Sequence, residues 1–77
     1  MDKIIVYIKE LNNREVPIKV SRYDTINYGK SLYVDGNKKT WRFDGKVLLD
    51  NETFDSYGID DEDIINSSAK VKGGLIK

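Results

Sequence analysis

The sequence contains no cysteine and no histidine, and it has only one proline and one tryptophan among its 77 residues. A chain without cysteine or histidine cannot form disulfides, the common zinc sites, or a nucleophilic centre that depends on an imidazole. These absences exclude most of the catalytic chemistry known in small domains. We therefore expect a protein that is not an enzyme, with no catalytic residue, no metal site and no cofactor of its own.

Neither sign of charge is in excess, because 13 basic residues balance 13 acidic residues. A balanced chain has no overall field that would attract nucleic acid or an anionic membrane. The apolar run within MDKIIVYIKE is far shorter than the roughly 18 residues of a membrane-spanning helix, and no signal-peptide cleavage site follows it. The sequence predicts a soluble, monomeric protein of the cytoplasm, the nucleus or both, without nucleic-acid or membrane partners.

Two β-strands joined by a tight turn are predicted at the N-terminus. Residues 3–11 and 14–20 alternate apolar and polar side chains with a strong β-branched bias, which is typical of strands. Asn12 and Asn13 between them tolerate the positive φ of a tight turn. Because Pro17 cannot donate a hydrogen bond to a neighbouring strand, we expect the second strand to lie at the edge of the sheet.

A short helix is predicted within SRYDTINYGKSLYVDG, residues 21–36, where the spacing of apolar residues changes. Asp24 or Thr25 can cap its N-terminus, and Gly36 can end it as the residue after the C-cap. Gly29 inside this segment costs about 1 kcal/mol relative to alanine, so the helix must depend on packing.

The second half of the chain predicts further strands. KKTWRFDGKVLL, residues 38–49, is typical of a strand, a hairpin turn at Asp44–Gly45 and a brief return. NETFDSYGI, residues 51–59, predicts a single helical turn, and DDEDIINSSAKV, residues 60–71, predicts a polar turn followed by a last strand.

Together these elements predict an α+β fold, in which one short helix packs across a mixed sheet of four to five strands. A domain of 77 residues buries only about 60% of the surface of its unfolded chain, so we expect a stability of roughly a few kcal/mol. The inward-facing apolar residues should form one core. They are Ile4, Val6, Ile8, Val16, Ile18, Val20, Ile26, Phe43, Leu48, Phe54, Ile59 and Ile65.

The order of these elements, followed by Gly73–Gly74, resembles ubiquitin and its relatives, whose fold is the β-grasp. The resemblance covers residues 4–74, and its motifs are DTI at 24–26, F-x-GK-x-L-x-D at 43–50 and T-F-x-x-Y-x-I at 53–59. About five family residues are missing between the helix and Trp41, where loop deletions are tolerated; this implies a shorter helix and a tighter loop. Some motifs are similar to the small ubiquitin-like modifier branch and others to ubiquitin itself, so the branch stays open.

The resemblance implies a function for the C-terminal end. In the family, an activating enzyme uses ATP to adenylate the carboxylate of the last glycine, which conjugating enzymes then carry as a thioester to a substrate lysine. Gly74 corresponds to that conjugated residue and Gly73 to its predecessor. Residues 75–77 are similar to a precursor extension, which a processing protease would remove between Gly74 and Leu75. Residues 1–72 are then the ubiquitin-like domain with its flexible arm, and residues 73–77 are the Gly-Gly end with its extension.

The resemblance also implies a partner-binding surface. The main receptor patch of ubiquitin is aliphatic, and its positions fall here on Leu11, Arg42, Asn66 and Ser68. Since Leu11 is the one apolar residue among these four, receptors that need contiguous apolar area should bind poorly. Lys46 occupies the position of the best known chain-forming lysine, and Lys70 keeps the basic character of the arm that helps choose the activating enzyme.

Other interpretations remain open at this point. The Gly-Gly end could belong to a β-grasp domain that binds partner proteins without conjugation, or to a sulfur carrier, although such carriers usually stop at the glycine. The acidic run 60–63 lacks the pattern of a calcium loop, so a solvated turn is the better interpretation. A basic patch beside Trp41 could suit nucleic acid, but the neutral net charge argues against this use. Its residues are Lys38, Lys39, Arg42 and Lys46.

Overall fold

The computed structural model describes residues 3–33 and 35–69. Within these ranges the chain forms five β-strands and one α-helix, with 3-10 turns at Gly36–Lys38 and Asp55–Tyr57. The elements follow the chain as β1 (Lys3–Lys9), β2 (Glu15–Ser21), α1 (Ile26–Ser31), β3 (Lys39–Phe43), β4 (Lys46–Val47) and β5 (Ile64–Ala69). No helix in the described ranges has the length and apolar character needed to cross a membrane.

The five strands form one mixed sheet in the order β2-β1-β5-β3-β4. β1 pairs antiparallel with β2 and parallel with β5, and β5 pairs antiparallel with β3. The first and last strands of the described chain are therefore neighbours inside the sheet. With α1 packed on one face, this arrangement confirms the predicted α+β β-grasp fold. β2 lies at an edge of the sheet, as Pro17 predicts.

The start of α1 is the one that the sequence predicts. Thr25 Oγ1 accepts a 3.1 Å hydrogen bond from the Tyr28 N–H, which satisfies one of the free donors of the first turn. Gly29 then faces the core. A Cβ atom at this position would lie 2.6 Å from Cζ of Phe54, so the glycine allows the helix to approach the core more closely than alanine would.

The end of α1 differs from the prediction, and the assignment of Gly36 as the residue after the C-cap is wrong. The helix ends at Ser31, and the Leu32 N–H closes its last turn by donating to the carbonyls of Gly29 and Lys30. Gly36 instead begins a 3-10 turn. A Cβ atom on Gly36 would lie 2.2 Å from the Lys30 carbonyl oxygen, so this glycine is required by a close approach of two backbone segments.

The predicted turns contain the expected left-handed residues. Asn13 has φ of 69° in the connection from β1 to β2. Asp44 and Gly45 have φ of 54° and 78°, and two consecutive positive φ values are the signature of the type I′ turn that joins short hairpins. Gly58, with φ of 73°, ends the second 3-10 turn.

One core lies between the sheet and α1, and it contains every predicted core residue except Val16 and Phe43. These two are partly buried and pack against its margin, because Val16 is on the edge strand and Phe43 precedes the β3–β4 turn. Trp41 and Tyr33 were not among the predicted core residues, yet they are 0% and 6% exposed. The buried apolar set is Ile4, Val6, Ile8, Ile18, Val20, Ile26, Tyr33, Trp41, Leu48, Phe54, Ile59 and Ile65.

Candidate functional surface

The candidate conjugation end continues in sequence from the central strand of the sheet. β5 occupies the middle position and ends at Ala69, the last described residue. Lys70, Gly73, Gly74 and Leu75 follow it and lie outside the described residues. Their roles in conjugation, processing and enzyme choice therefore stay predictions.

The four predicted receptor positions lie together on the structure. Arg42 on β3 is in register with Asn66 on β5, and Ser68 follows on the same face of β5. Leu11 lies in the turn after β1, is 83% exposed and lines the same shallow hollow. Because Arg42 and Asn66 are exposed and line this hollow, its surface presents charge and hydrogen-bonding groups instead of contiguous apolar area.

Tyr33 closes the core beside this hollow. Its hydroxyl donates a hydrogen bond to the Glu10 carboxylate, and its ring packs edge-on against Trp41 with centroids 6.0 Å apart. Burial, reinforced by the hydrogen bond to Glu10 and by its negative charge, raises the pKa of Tyr33 to about 12. The hydroxyl is therefore protonated at neutral pH and links the segment after α1 to the end of β1.

The acidic run before β5 uses its carboxylates to hold the backbone. Asp61 Oδ1 accepts a 2.8 Å hydrogen bond from the Ile5 N–H, and Asp63 Oδ2 accepts one of 2.8 Å from the Asp60 N–H. The Asp61 N–H and the Arg22 guanidinium together hold the pKa of the Asp60 carboxyl below its ordinary value. Over the described ranges, no three potential metal ligands come together, and these carboxylates serve the turn that leads into β5.

A model described as the ubiquitin family matches residues 6–72, a range that contains all of the described elements except the first three residues of β1. The chain belongs to the ubiquitin family. Ubiquitin-like domains are typically not enzymes. The curated proteins gave no match to this chain.

Two lysines of this ubiquitin-family domain differ sharply in accessibility. Lys46 is exposed beside the β3–β4 turn, in register with Phe43, so its amine can be reached by an enzyme. Lys30 is 4% exposed, and its Nζ donates hydrogen bonds of 2.8 Å to Asp50 Oδ1 and 3.0 Å to the Lys39 carbonyl. No signal in the sequence separates Lys30 from the exposed lysines, because a helix of six residues is too short to define a polar face.

Trp41 and Arg42 point to opposite faces of β3 in the ubiquitin-like sheet. Trp41 is fully buried against the core, whereas Arg42 is exposed. Trp41 is therefore not available to stack on a base beside the basic side chains, as the alternative of a nucleic-acid surface requires.

An apolar row lies on the sheet face that points away from α1, and it is not among the features predicted from the sequence. Tyr7 on β1 lies in register with Pro17 on β2 and with Ile64 on β5, so the three side chains share the outer face. Ile5 lies two residues before Tyr7 on the same face of β1. The available signal was the doubling of isoleucine at 4–5 and 64–65, because an alternating strand needs only one apolar residue of each pair for the core. We call Ile5, Tyr7, Pro17 and Ile64 the outer row.

Proposed function

We propose that this protein is a ubiquitin-like modifier, which is processed after Gly74 and joined through the Gly74 carboxylate to lysines of substrate proteins. The observation that supports this proposal is the position of Gly73–Gly74. The pair follows a domain of the ubiquitin family and is separated by three residues from the end of the central strand at Ala69. Two residues without side chains can adopt any φ and can pass through a narrow enzyme cleft.

The chemistry in this scheme comes from partner proteins. A protease hydrolyses the Gly74–Leu75 peptide bond, and an activating enzyme then joins the new carboxylate to the AMP of ATP with release of pyrophosphate. An enzyme thiol displaces AMP to form a thioester, and a substrate lysine amine displaces the thiol to form an isopeptide bond. The modifier contributes its surface, with Lys70 and the Leu11 hollow facing the enzymes and receptors. Its exposed Lys46 is the candidate site for chain formation.

A second candidate function is a β-grasp domain that binds partners without conjugation. The exposed outer row favours it, since Ile5 and Ile64 are 38% and 42% exposed and such apolar area is typical of protein contacts. The two functions differ in whether a new covalent bond forms at Gly74.

The deciding experiment is the expression of the full chain, with an N-terminal tag, in cells of its source. Conjugation predicts a free form whose mass ends at Gly74, together with heavier adducts that survive denaturation. Gly74→Ala should abolish the adducts, whereas the control Asn27→Ala, at an exposed position of α1 outside the proposed binding surfaces, should retain them. Recovery of an intact Lys77 end without adducts would refute the modifier function and leave the binding domain as the explanation.

A further inference from the structure

The sequence contains two aspartate–glycine pairs, Asp35–Gly36 and Asp44–Gly45. An aspartate followed by glycine can rearrange without an enzyme, because the backbone nitrogen of the glycine can attack the carboxyl group of the preceding side chain. Glycine favours this reaction since it has no Cβ atom to hinder the approach. In a folded protein the reaction also requires a free glycine N–H and a segment that can open, and the two pairs differ in both respects.

The Asp35–Gly36 pair is held by hydrogen bonds and by close packing. The Gly36 N–H donates a 2.9 Å hydrogen bond to the Tyr33 carbonyl. The Asp35 carbonyl accepts another of 2.9 Å from the Lys38 N–H. Gly36 is buried, and a Cβ atom there would lie 2.2 Å from the Lys30 carbonyl oxygen. Movement of the Gly36 nitrogen toward the Asp35 carboxyl would therefore break contacts that hold the end of α1.

The Asp44–Gly45 pair lies in an open turn. Both residues are exposed. Among the described residues, apart from the chain neighbours of Gly45, no atom lies within 4 Å of the position that a Cβ atom on this glycine would occupy. The Gly45 N–H donates no hydrogen bond to the described backbone. The glycine nitrogen is therefore accessible, and no packed neighbour resists its movement.

The hairpin around this turn is short enough to open locally. β4 consists of two exposed residues, Lys46 and Val47, and it pairs with β3 at the edge of the sheet. The Leu48 N–H then donates a 2.8 Å hydrogen bond to the Trp41 carbonyl, and the Leu48 side chain is buried in the core. Exposed edge segments with few buried contacts open at free energies well below that of global unfolding. The turn can thus rearrange while the core stays folded.

A third candidate, Asp55–Ser56, is protected in the same way as Asp35–Gly36. The Ser56 N–H donates hydrogen bonds of 3.2 Å to the Thr53 carbonyl and 3.1 Å to Thr53 Oγ1. Serine also carries a Cβ atom that hinders the approach of its nitrogen. Of these three pairs, Asp44–Gly45 is the one in which both the sequence and the structure permit the reaction.

We propose that Asp44 is a site of spontaneous isomerisation to isoaspartate. The Gly45 nitrogen bonds to the carboxyl carbon of the Asp44 side chain, and one carboxyl oxygen leaves as water with the N–H proton and a proton from solvent. Water then adds to the main-chain carbonyl carbon of Asp44 in the resulting succinimide ring and breaks its bond to the Gly45 nitrogen. The chain now continues through the side-chain carboxyl, and the former main-chain carboxyl is a free carboxylate. The composition is unchanged, because one water is lost and one is gained.

The product alters the backbone of the β3–β4 hairpin. An additional CH₂ group enters the main chain between residues 44 and 45, and a two-residue type I′ turn has no position for it. The register pairs Arg42–Val47 and Phe43–Lys46 would be displaced, so Lys46 would change its position relative to the sheet. The inference does not depend on conjugation, because it concerns a turn within the folded domain.

The test is ageing of the full-length protein near neutral pH at physiological temperature. Peptides with aspartate and isoaspartate have equal mass, so a proteolytic digest is separated by chromatography, and electron-transfer fragmentation locates the isoaspartate. We expect isoaspartate to form at residue 44 at least about tenfold faster than at residue 35, which corresponds to a difference of about 1.4 kcal/mol in activation free energy. A methyltransferase that methylates the free carboxylate of isoaspartate with S-adenosylmethionine provides an independent measure.

Denaturation supplies a matched control within the same chain. In concentrated urea the hydrogen bonds around Gly36 are lost, so residues 35 and 44 should isomerise at similar rates. Asp44→Glu, whose longer side chain would have to close a larger ring, should remove the signal at residue 44 and leave residue 35 unchanged. Asp35→Glu should leave the rate at residue 44 unchanged. Amide spectra of the aged, unaltered protein should show new signals for residues 42–48, while the signals of β1 stay in place.

Three results would overturn the proposal. The first is a rate at residue 35 that equals or exceeds the rate at residue 44 in the folded protein. The second is a ratio of the two rates that urea leaves unchanged. The third is isomerisation of residue 44 in urea but not in the folded protein over the same time, which would show that the β3–β4 hairpin stays closed and protects the turn.

Discussion

Lys30 Nζ lies 2.8 Å from Asp50 Oδ1, yet the two partners differ greatly in exposure: 4% of the lysine side chain and 53% of the aspartate side chain are accessible. The ammonium is thus the buried member of the pair, and it also lies 5.9 Å from the centroid of the Trp41 ring. Removing the exposed carboxylate leaves a buried charge, whereas removing the lysine leaves a carboxylate that water can solvate.

Substitutions of the two partners of this ion pair should therefore lower the stability by unequal amounts. Asp50→Ala should lower the free energy of unfolding by about 2–3 kcal/mol, because a buried ammonium loses a charged acceptor. Lys30→Met, which keeps most of the aliphatic stem, should cost less, about 1 kcal/mol. Urea denaturation measures both, with Glu52→Ala as an exposed control. Equal losses, or a larger loss for Lys30→Met, would contradict this account.

Gly29→Ala should destabilise the domain even though alanine is the better helix former. The gain in helix propensity is about 1 kcal/mol, but the new methyl would stand 2.6 Å from Phe54 Cζ, and overpacking of this kind costs about 1–3 kcal/mol. Thermal denaturation should show a net loss of stability. Asn27→Ala on the exposed side of α1 serves as the control and should be neutral or stabilising. A rise in melting temperature for Gly29→Ala would show that the ring of Phe54 moves aside at little cost.

The pKa of Tyr33 gives the stability a specific dependence on alkaline pH. Its folded value of about 12 lies above the ordinary 10.0, so the stabilisation from the protonated hydroxyl is complete below pH 10 and is lost as the pH rises toward 12. Tyr33→Phe should remove this loss and should also remove the tyrosinate absorbance step near the upper end of the titration. Tyr23→Phe, at an exposed tyrosine, should leave that step in place. If the absorbance step persists in Tyr33→Phe, the step belongs to another residue.

The polar Leu11 hollow should bind generic ubiquitin receptors weakly. We expect a dissociation constant above about 1 mM for a helical receptor domain, since Arg42, Asn66 and Ser68 provide little apolar area at the centre of the contact. Arg42→Ile with Ser68→Val should tighten binding by about tenfold or more. Lys46→Leu adds apolar area away from the hollow and is the matched control. Calorimetric titration measures these dissociation constants, and micromolar binding of the receptor domain to the unaltered protein would refute the expectation of weak binding.

Much of the fold could be predicted because local chemistry and tertiary structure agree. Three local features each allow one favourable structure. They are the alternation of apolar and polar residues in β1 and β2, the missing N–H of Pro17, and the positive φ tolerated at Asp44–Gly45. The four positions of the Leu11 hollow could be placed through the family resemblance, since Arg42 and Asn66 fall on paired strands. At these positions the sequence pattern determines the local geometry.

The missed features depend on pairs of residues that are distant in the sequence. Trp41 is buried because it lies opposite Ser67 on β5, where a small side chain, 5% exposed, leaves room for an indole. Lys30 is buried because Asp50 and the Lys39 carbonyl supply acceptors for its ammonium. Neither relationship follows from periodicity along one segment, and the early end of α1 likewise depends on the close approach of Gly36 to Lys30.

The parallel pairing of β1 with β5 also sets the point in synthesis at which the sheet can be completed. The N-terminal hairpin can form as soon as it leaves the ribosome, but the centre of the sheet stays open until residues 64–69 have been synthesised, because β5 supplies the strand between β1 and β3. Pairing of the two ends of a chain is a slow, non-local step in folding. In the proposed modifier, three residues separate the end of β5 from Gly73–Gly74, so completion of the sheet and synthesis of those glycines would be closely consecutive events, and an incomplete chain would have neither the surface nor the end that the proposed enzymes recognise.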